Sequence, residues 1–540
     1  MFRFINKESK TIIGAATIVG VLSFASRLIG LIRDRILAGT FGAGDTLDAY
    51  YAAFKFPDLM FGLLVVGSLS ACFIPLFAKH FYHPLQKEQA WKFTNNTLHL
   101  VGTAVIIVSL FLAIFARPFA EIIAPGFTFE KQVLVIAFFR IMLLAQILLA
   151  FSVIFGSVLQ SMKRFLLYAL SPVLYNVGII IGAVWFVNWF GPLGLGWGVV
   201  FGAFLHLIVQ LYGVISSGYR YKWSFSFQDK DTKEMFKLTG PRMIGIAMNQ
   251  ILFVLLTIIA TTLSVGSVTI FQFAYNIQFF PVGIIGVSYA IAAFPSFSEY
   301  IEKGDEKQFI RLFSSTVRQI LFFLVPLMIL FLILRAQIVR VVVGAGSFDW
   351  DATILTANTL GFFALTFIPQ SLVYLLARAF FAKHDTMTPM TAGIIATFFG
   401  VISAFWLKGH FGVVGLGIAY SLASIVNIAL LWVPLREKFG SLDELRIIQS
   451  LFKISVAGMV CAVVMQLIKP VVVSVISLET FFGVFSQGFV AGIFGLISYI
   501  LIMFLLRSEE LESFLSGMRR KVFKSYKPEE PVSLSSTPGS

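Results

Sequence analysis

The sequence predicts an all-α polytopic membrane protein of about 14 transmembrane helices, built as two pseudo-symmetric six-helix lobes plus an extra C-terminal helix pair. Three observations predict it. Hydrophobic residues fill 58% of the 540 positions and the mean hydropathy is +0.89, outside the range of soluble domains. Apolar windows of about 20 residues recur along the chain. Landmarks in the first half return about 220 residues later.

The windows cover residues 11–36, 49–78, 94–115, 133–160, 165–187 and 193–215, then 236–263, 268–297, 313–334, 352–377, 386–407 and 413–433, and finally 451–468 and 481–506. The first begins after Arg3, Lys7 and Lys10. It reads as a retained span and not a cleaved signal, because it is long, carries Arg27 and Arg33 and lacks a small-residue cleavage site. Lysine and arginine crowd alternate connections: Lys79, Lys87 and Lys92; Lys163 and Arg164; Arg220 to Lys237; Lys303, Lys307 and Arg311; Arg378 and Lys383; Arg436 to Lys453. The other connections hold Arg117, Lys131, Arg335, Arg340, Lys408 and Lys469. The positive-inside rule then places both termini in the cytoplasm and accounts for the net charge of +14 without nucleic acid.

The repeat is legible in three places. Phe190-Gly191-Pro192-Leu193-Gly194-Leu195-Gly196 returns as Phe411-Gly412-Val413-Val414-Gly415-Leu416-Gly417. Lys55-Phe56-Pro57 returns as Phe279-Phe280-Pro281, and Pro172 as Pro389. The expected units are residues 1–217 (spans 1–6), an inter-lobe loop 218–235, residues 236–434 (spans 7–12), spans 13–14 within 445–506, and a charged, then Pro/Ser-rich tail over 507–540 expected to be disordered. Such repeats place a substrate site between lobes near the midplane.

Enzyme signatures are missing: no HExxH, Walker loop, GxSxG or Asp-rich metal motif occurs, and six scattered histidines suggest no metal site. Cys72 and Cys461 read as separate buried thiols. A transporter without cofactor is expected, drawing on a coupling ion, the membrane potential or substrate supply. Its chemistry lies in intramembrane charge. Each guanidinium in hydrocarbon costs about 2.5–3.5 kcal/mol on insertion scales, so Arg27, Arg33, Asp34 and Arg35 in one span call for an aqueous cavity or an anionic ligand. Ser23, Ser26, Arg27, Gly30, Arg33 and Asp34 fall within an arc of roughly 120°. Arg27 sits roughly 24 Å into its helix, too deep to snorkel inward. Arg140, Arg242 and Arg318 lie nearer span ends, where snorkelling competes with a cavity role. Intramembrane carboxylates, Asp34, Asp48 and Asp58, fall in the first lobe; the second offers the neutral Asn249, Gln250, Gln272, Asn276 and Gln278. Surplus positive charge suits phosphate or diphosphate, which guanidinium forks grip bidentately. The expected substrate-binding set is Arg27, Arg33, Asp34, Asp48, Lys55, Arg242, Asn249 and Asn276, with hinges at Gly30, Pro57 and Pro281.

Ser26–Asp34 (SRLIGLIRD), then 41–49 (FGAGDTLDA), 53–59 (AFKFPDL) and 73–77 (FIPLF), resemble the MurJ/MviN family of lipid II flippases, in the multidrug/oligosaccharidyl-lipid/polysaccharide exporter superfamily. Gly240-Pro241-Arg242, Phe280-Pro281-Val282-Gly283 and Asp385-Thr386-Met387-Thr388-Pro389 extend the likeness. It implies a flippase carrying undecaprenyl-diphosphate-linked muropeptide (lipid II) from the cytoplasmic to the outer leaflet by alternating access, in the bacterial inner membrane during cell-wall synthesis. Arg27, Arg33 and Asp34 match the family's cationic first helix, and Asp48 its Asp-Ala motif. The chain departs where members carry a basic pair (here Phe61-Gly62), Glu-Gly (Val66-Gly67) and an arginine before the span-eight Phe-Pro (Asn276), which loads the headgroup's charge onto Arg27 and Arg33. Open alternatives are a flippase for another lipid-linked oligosaccharide, a drug antiporter of the same superfamily, and a membrane scaffold for cell-wall enzymes.

Overall fold

The computed structural model describes residues 12–83 and 85–524, with the side chains of 12–16, 64, 66–71, 238–249 and 517–524 outside the described set. The described chain is helical with no strand. Helix α1 (Ile12–Phe41) is followed by α2 (Asp45–Phe61) and α3 (Gly67–Phe81), joined by a π turn at Gly62–Val66. Next come α4 (Lys87–Ile114), the short α5 (Ala116–Ile123) and α6 (Phe129–Ser161). Then α7 (Phe165–Ile181) runs through a second π turn (Gly182–Phe186) and α8 (Val187–Phe190) into α9 (Gly194–Ile215). The second bundle holds α10 (Lys230–Thr261), α11 (Ser267–Pro281), a third π turn (Val282–Gly286), α12 (Val287–Glu302) and α13 (Glu306–Ile333). It continues with α14 (Arg335–Val342), α15 (Trp350–Ala364), α16 (Phe367–Ala382) and α17 (Met387–Phe439). Helices α18 (Glu444–Val473), α19 (Phe481–Leu505) and α20 (Glu509–Lys524) close the chain.

Helix runs through all the expected apolar windows, yet eight described helices are long and apolar enough to cross a membrane alone, or nine if α15 and α16, bent by 43°, count as one. The difference has physical causes. Two of the eight, Phe165–Ile215 and Met387–Phe439, each contain a pair of expected spans turning on one glycine. Span 2 contains proline, which removes an i→i−4 bond, and a π turn follows it; span 8 has the same two features yet remains one of the eight as Ser267–Glu302.

The repeat is visible in the backbone. Gly191 (φ 57°, ψ −148°) and Gly412 (φ 55°, ψ −134°) adopt the same conformation, one that belongs almost wholly to glycine. The π turns Gly62–Val66 and Val282–Gly286 also occupy corresponding places.

Glycine lets α7 meet α9 backbone to backbone, since a Cβ at Gly178 or Gly182 would overlap Gly202 or Gly198. Between the bundles, one apolar core forms around Leu47, Tyr51, Phe273 and Phe348, with Tyr51–Phe273 and Phe273–Phe348 ring centroids 5.8 and 5.9 Å apart. Ser347 N donates to Gly39 O at 2.9 Å in the same region, and the Gly42 and Gly266 sites have no space for a side chain. The bundles are closed at this end. At the opposite, lysine-rich end, Asn95 and Asn96 donate to Arg220 O and Ser226 O, and His80 meets Asp231 at 2.8 Å, strapping the inter-bundle segment and the start of α10 to the first bundle.

The segment after Arg507 departs from the expected disorder through residue 524. Arg318 pairs with Glu509 and Glu510 at 2.8 and 2.9 Å, and Ser508 donates to Glu510 at 2.6 Å, anchoring the start of α20. Of these carboxylates, Glu510 is buried against Arg318, while Glu509 stays exposed.

Candidate functional site

The polar arc expected on α1 meets the second bundle at mid-span. Arg33 donates from Nε and Nη2 to Asp34 Oδ1 (3.0 and 2.7 Å) and from Nη1 to Asn176 Oδ1 on α7 (2.9 Å). Asn176 is itself aimed by its Nδ2 bond to Pro172 O at 3.0 Å. Asp34 Oδ2 accepts from Asn276 Nδ2 on α11 at 3.0 Å, crossing the interface. Asn276 Oδ1 accepts from Gln272 Nε2 (2.8 Å), and Gln272 Oε1 accepts from Lys55 Nζ on α2 (2.8 Å), crossing back. Lys55 also rests over the Phe253 ring at 4.3 Å. Asp34 and Lys55 are 2% and 7% exposed, so each depends on these partners; removing one partner of a buried charge typically costs about 3–5 kcal/mol.

Arg27 sits about 9 Å nearer the start of α1. Its Nη1 donates to Phe280 O at 3.4 Å, and the guanidinium lies against Gly283 in the π turn, where a Cβ would come within 2.6 Å of Nη1. Half-buried, it keeps donors to spare. Asp58 is exposed at mid-span, accepts from Gln146 Nε2 at 2.9 Å and lies within electrostatic reach of Lys55 one turn earlier.

Asp48 stands apart. It lies about 10 Å further toward the closed end along α2. Its Oδ2 accepts from Gly266 N (2.7 Å) and Lys131 Nζ (2.9 Å), and its Oδ1 from Thr269 N (2.9 Å) and Thr269 Oγ1 (2.8 Å). A first-bundle carboxylate thereby caps the second bundle's α11, and these four bonds occupy its acceptor capacity. Arg35 acts similarly from α1, donating to Val341 O at 2.5 Å at the end of α14 and stacking on Phe481 at 4.7 Å.

Of the expected set, the structure brings Arg33, Asp34, Lys55 and Asn276 into one network, places Arg27 beside it and sets Asp48 at the closed end. Arg242 and Asn249 fall among side chains outside the described set. Of the expected hinges, Pro57 and Pro281 lie in interrupted spans, whereas α1 is continuous through Gly30. Asn176, Gln146 and Thr269 escaped the sequence reading; for the first two the available signal was a lone amide in an apolar span.

Two helical bundles of membrane-crossing length sharing a buried, hydrogen-bonded polar seam define the class as a multi-pass membrane protein, and its family makes it a transporter. The family model described as lipid II flippase MurJ matches residues 37–485, and the chain belongs to that family. A "Probable lipid II flippase MurJ" of Thermotoga maritima is 28% identical over 91% of this chain and 96% of its own length. Another, of Buchnera aphidicola subsp. Baizongia pistaciae, is 26% identical over 86% and 91%. The fold is similar to a solved "Lipid II flippase MurJ, inward closed conformation", with a TM-score of 0.76 at 22% identity over 91% of this chain and 99% of that one. An inward-facing multidrug resistance MATE family transporter gives 0.65 at 14% identity over 79% and 99%.

Proposed function

We propose that this chain moves lipid II, a polyprenyl-diphosphate-linked muropeptide, between leaflets by alternating access. The observation that carries the reading is the placement of Arg27: a mid-span guanidinium between the bundles with unused donors, next to a network whose other charged groups already have hydrogen-bond partners. The lysine-rich end faces the cytoplasm on this reading, so the state with the Asp48 end closed accepts cargo from the inner leaflet. The diphosphate engages Arg27 first. It then competes with Asp34 for Arg33 within α1 and with Gln272 for Lys55, the latter one of the bonds that cross between the bundles. Residues 1–217 and 236–434 move as units about 218–235, with the π turns in spans 2 and 8 absorbing the bending.

The test is complementation of a flippase-depleted bacterial strain by Arg27→Ala, beside lipid II binding by the purified variant. Both should be abolished, and full rescue would remove Arg27 from the mechanism. A second reading has an observation of its own. Asp58 is exposed at mid-span, and Phe61 and Asn276 are neutral, which favours a less anionic lipid-linked glycan. Tighter binding of such a glycan than of lipid II would select it. Cell-wall enzymes docking on the tail are a further proposal: deletion of Lys527–Ser540 should then impair growth while leaving headgroup binding intact.

A further inference from the structure

A second cationic site lies at the end of the molecule where the bundles are closed, away from the seam. Helix α13 ends at Ile333, α14 begins at Arg335, and α15 and the last turns of α18 pack alongside. Between them is a cavity of about 280 Å³ lined by Arg335, Lys469, Gln337, Trp350, Thr353 and Asn358, among others. Arg335 Nη1 donates to Leu332 O at 2.8 Å, and Lys469 Nζ donates to Ile333 O at 3.4 Å. Among the described residues neither cation has a carboxylate within ion-pair distance. The adjacent Asp349 is engaged elsewhere, capping α15 through Ala352 N at 2.7 Å.

Capping one helix end uses a single donor from each cation, so it does not account for two like charges facing one cavity. Their position is maintained by a chain of bonds. Gln337 Nε2 donates to Gln487 Oε1 (2.8 Å), and Gln487 Nε2 donates to Lys469 O (3.2 Å), joining α14, α19 and α18. The stem of Arg335 lies against Gly361, where a Cβ would sit 3.2 Å from its Cδ. Apolar side chains flank the site along this face of α15: Trp350 and Ile354 on one side of Asn358 and Gly361, and Leu365, the residue that follows α15, on the other, are 59%, 41% and 40% exposed. Trp350 has the amphipathic character of a residue at the membrane–water boundary.

We infer that this cavity is a binding site for an anionic phospholipid, with the phosphodiester between Arg335 and Lys469 and an acyl chain along Trp350, Ile354 and Leu365. These apolar side chains favour a lipid over a free phosphate. One guanidinium and one ammonium supply a donor for each of the two free oxygens of a single phosphodiester, whereas the cargo proposed above would bring a diphosphate and a bulky glycan into about 280 Å³. The inference needs neither the direction nor the chemistry of transport.

The test is native mass spectrometry of the full-length protein with phosphatidylglycerol, phosphatidylcholine and undecaprenyl diphosphate as separate probes. Arg335→Gln with Lys469→Gln removes charge but keeps side-chain donors for the helix carbonyls. Phosphatidylglycerol should bind the wild type in preference to phosphatidylcholine. The double variant should bind it about 25-fold more weakly, fivefold for each cation removed. The swap Arg335→Lys with Lys469→Arg should retain it, keeping the question answerable if the glutamine variant does not fold. Arg27→Ala should leave this binding unchanged. Equal retention by the glutamine variant, loss on the charge-preserving swap, or selective retention of undecaprenyl diphosphate in place of phosphatidylglycerol would overturn the assignment.

Discussion

The seam around Asp34 and the closure around Asp48 both join the two bundles through a buried aspartate, yet they are built differently. Asp48 takes two of its four bonds from backbone N–H groups at the start of α11, one from Thr269 Oγ1 and one from Lys131. The seam is made of side chain to side chain bonds, from Asn176 through Arg33, Asp34, Asn276 and Gln272 to Lys55. Backbone donors cannot turn to another partner without moving their helix, whereas amide and guanidinium groups can by rotating. The closure therefore holds the relative position of the bundles, and the seam can exchange partners with a ligand while that position is kept.

Breaking the closure should have the largest effect. Asp48→Ala removes the cap on α11 and leaves Lys131, 8% exposed, facing Asp45 alone. A loss of about 3–5 kcal/mol from the closed state is expected. Cysteines placed at Gly39 and Ala345, where a Cβ at residue 39 would sit 3.4 Å from the Ala345 Cβ, should cross-link efficiently in the parent and poorly in the Asp48→Ala background. Undiminished cross-linking would mean that the apolar core alone maintains closure.

Next in size is Gly283→Ala. The new methyl group meets the Arg27 guanidinium, which must leave Phe280 O. Loss of one charge-assisted contact predicts about tenfold weaker headgroup binding, equivalent to about 1.4 kcal/mol, with a small change in thermal stability because the clash falls on a movable side-chain end. Unchanged affinity would show that Arg27 does not reach the ligand from this position. Asp58→Asn should act in the opposite direction. Removing an exposed carboxylate near Lys55 should tighten binding of a diphosphate by about three- to fivefold, an effect of the order of 1 kcal/mol that shrinks with added salt. Weaker binding would assign Asp58 a direct role in holding cargo.

These contrasts separate what the sequence could supply from what it could not. The helical class and the repeat followed from hydropathy and from Phe190-Gly191 returning as Phe411-Gly412, because local backbone demands are written in local residues. The polar arc of α1 followed from its period. The roles of Asp34 and Asp48 did not, since both are aspartates in the first lobe and their partners lie more than 200 residues away, at Asn276 and Gly266. Asn176 was hidden for the same reason: its importance comes from Arg33, which only folding brings near. The helical start of α20 escaped because Arg318, which pairs with Glu509 and Glu510, belongs to a helix far back in the chain.

The smallest effect concerns the same capping chemistry within one bundle, and it sharpens the comparison. Asp385 accepts from Thr388 N (3.0 Å) and Thr388 Oγ1 (2.7 Å) at the start of α17, and from Lys438 Nζ at 2.5 Å. Burial alone would raise its pKa, but the bonds from Lys438 and Thr388 outweigh this and hold the carboxyl down at about 2. A folded-state value below the unfolded one makes the carboxylate stabilising above about pH 4, with the benefit lost as pH falls toward 2. Asp385→Asn should thus cost about 0.5–2 kcal/mol near neutrality, the range of an ordinary helix cap. The gap in melting temperature between parent and variant should close between pH 4 and pH 2. Both partners of Asp385 lie on α17, so its loss should leave the Gly39–Ala345 cross-link untouched. If Asp385→Asn also loosened that contact, capping within a bundle and capping between bundles would not be separable, and the special role given to Asp48 would fail.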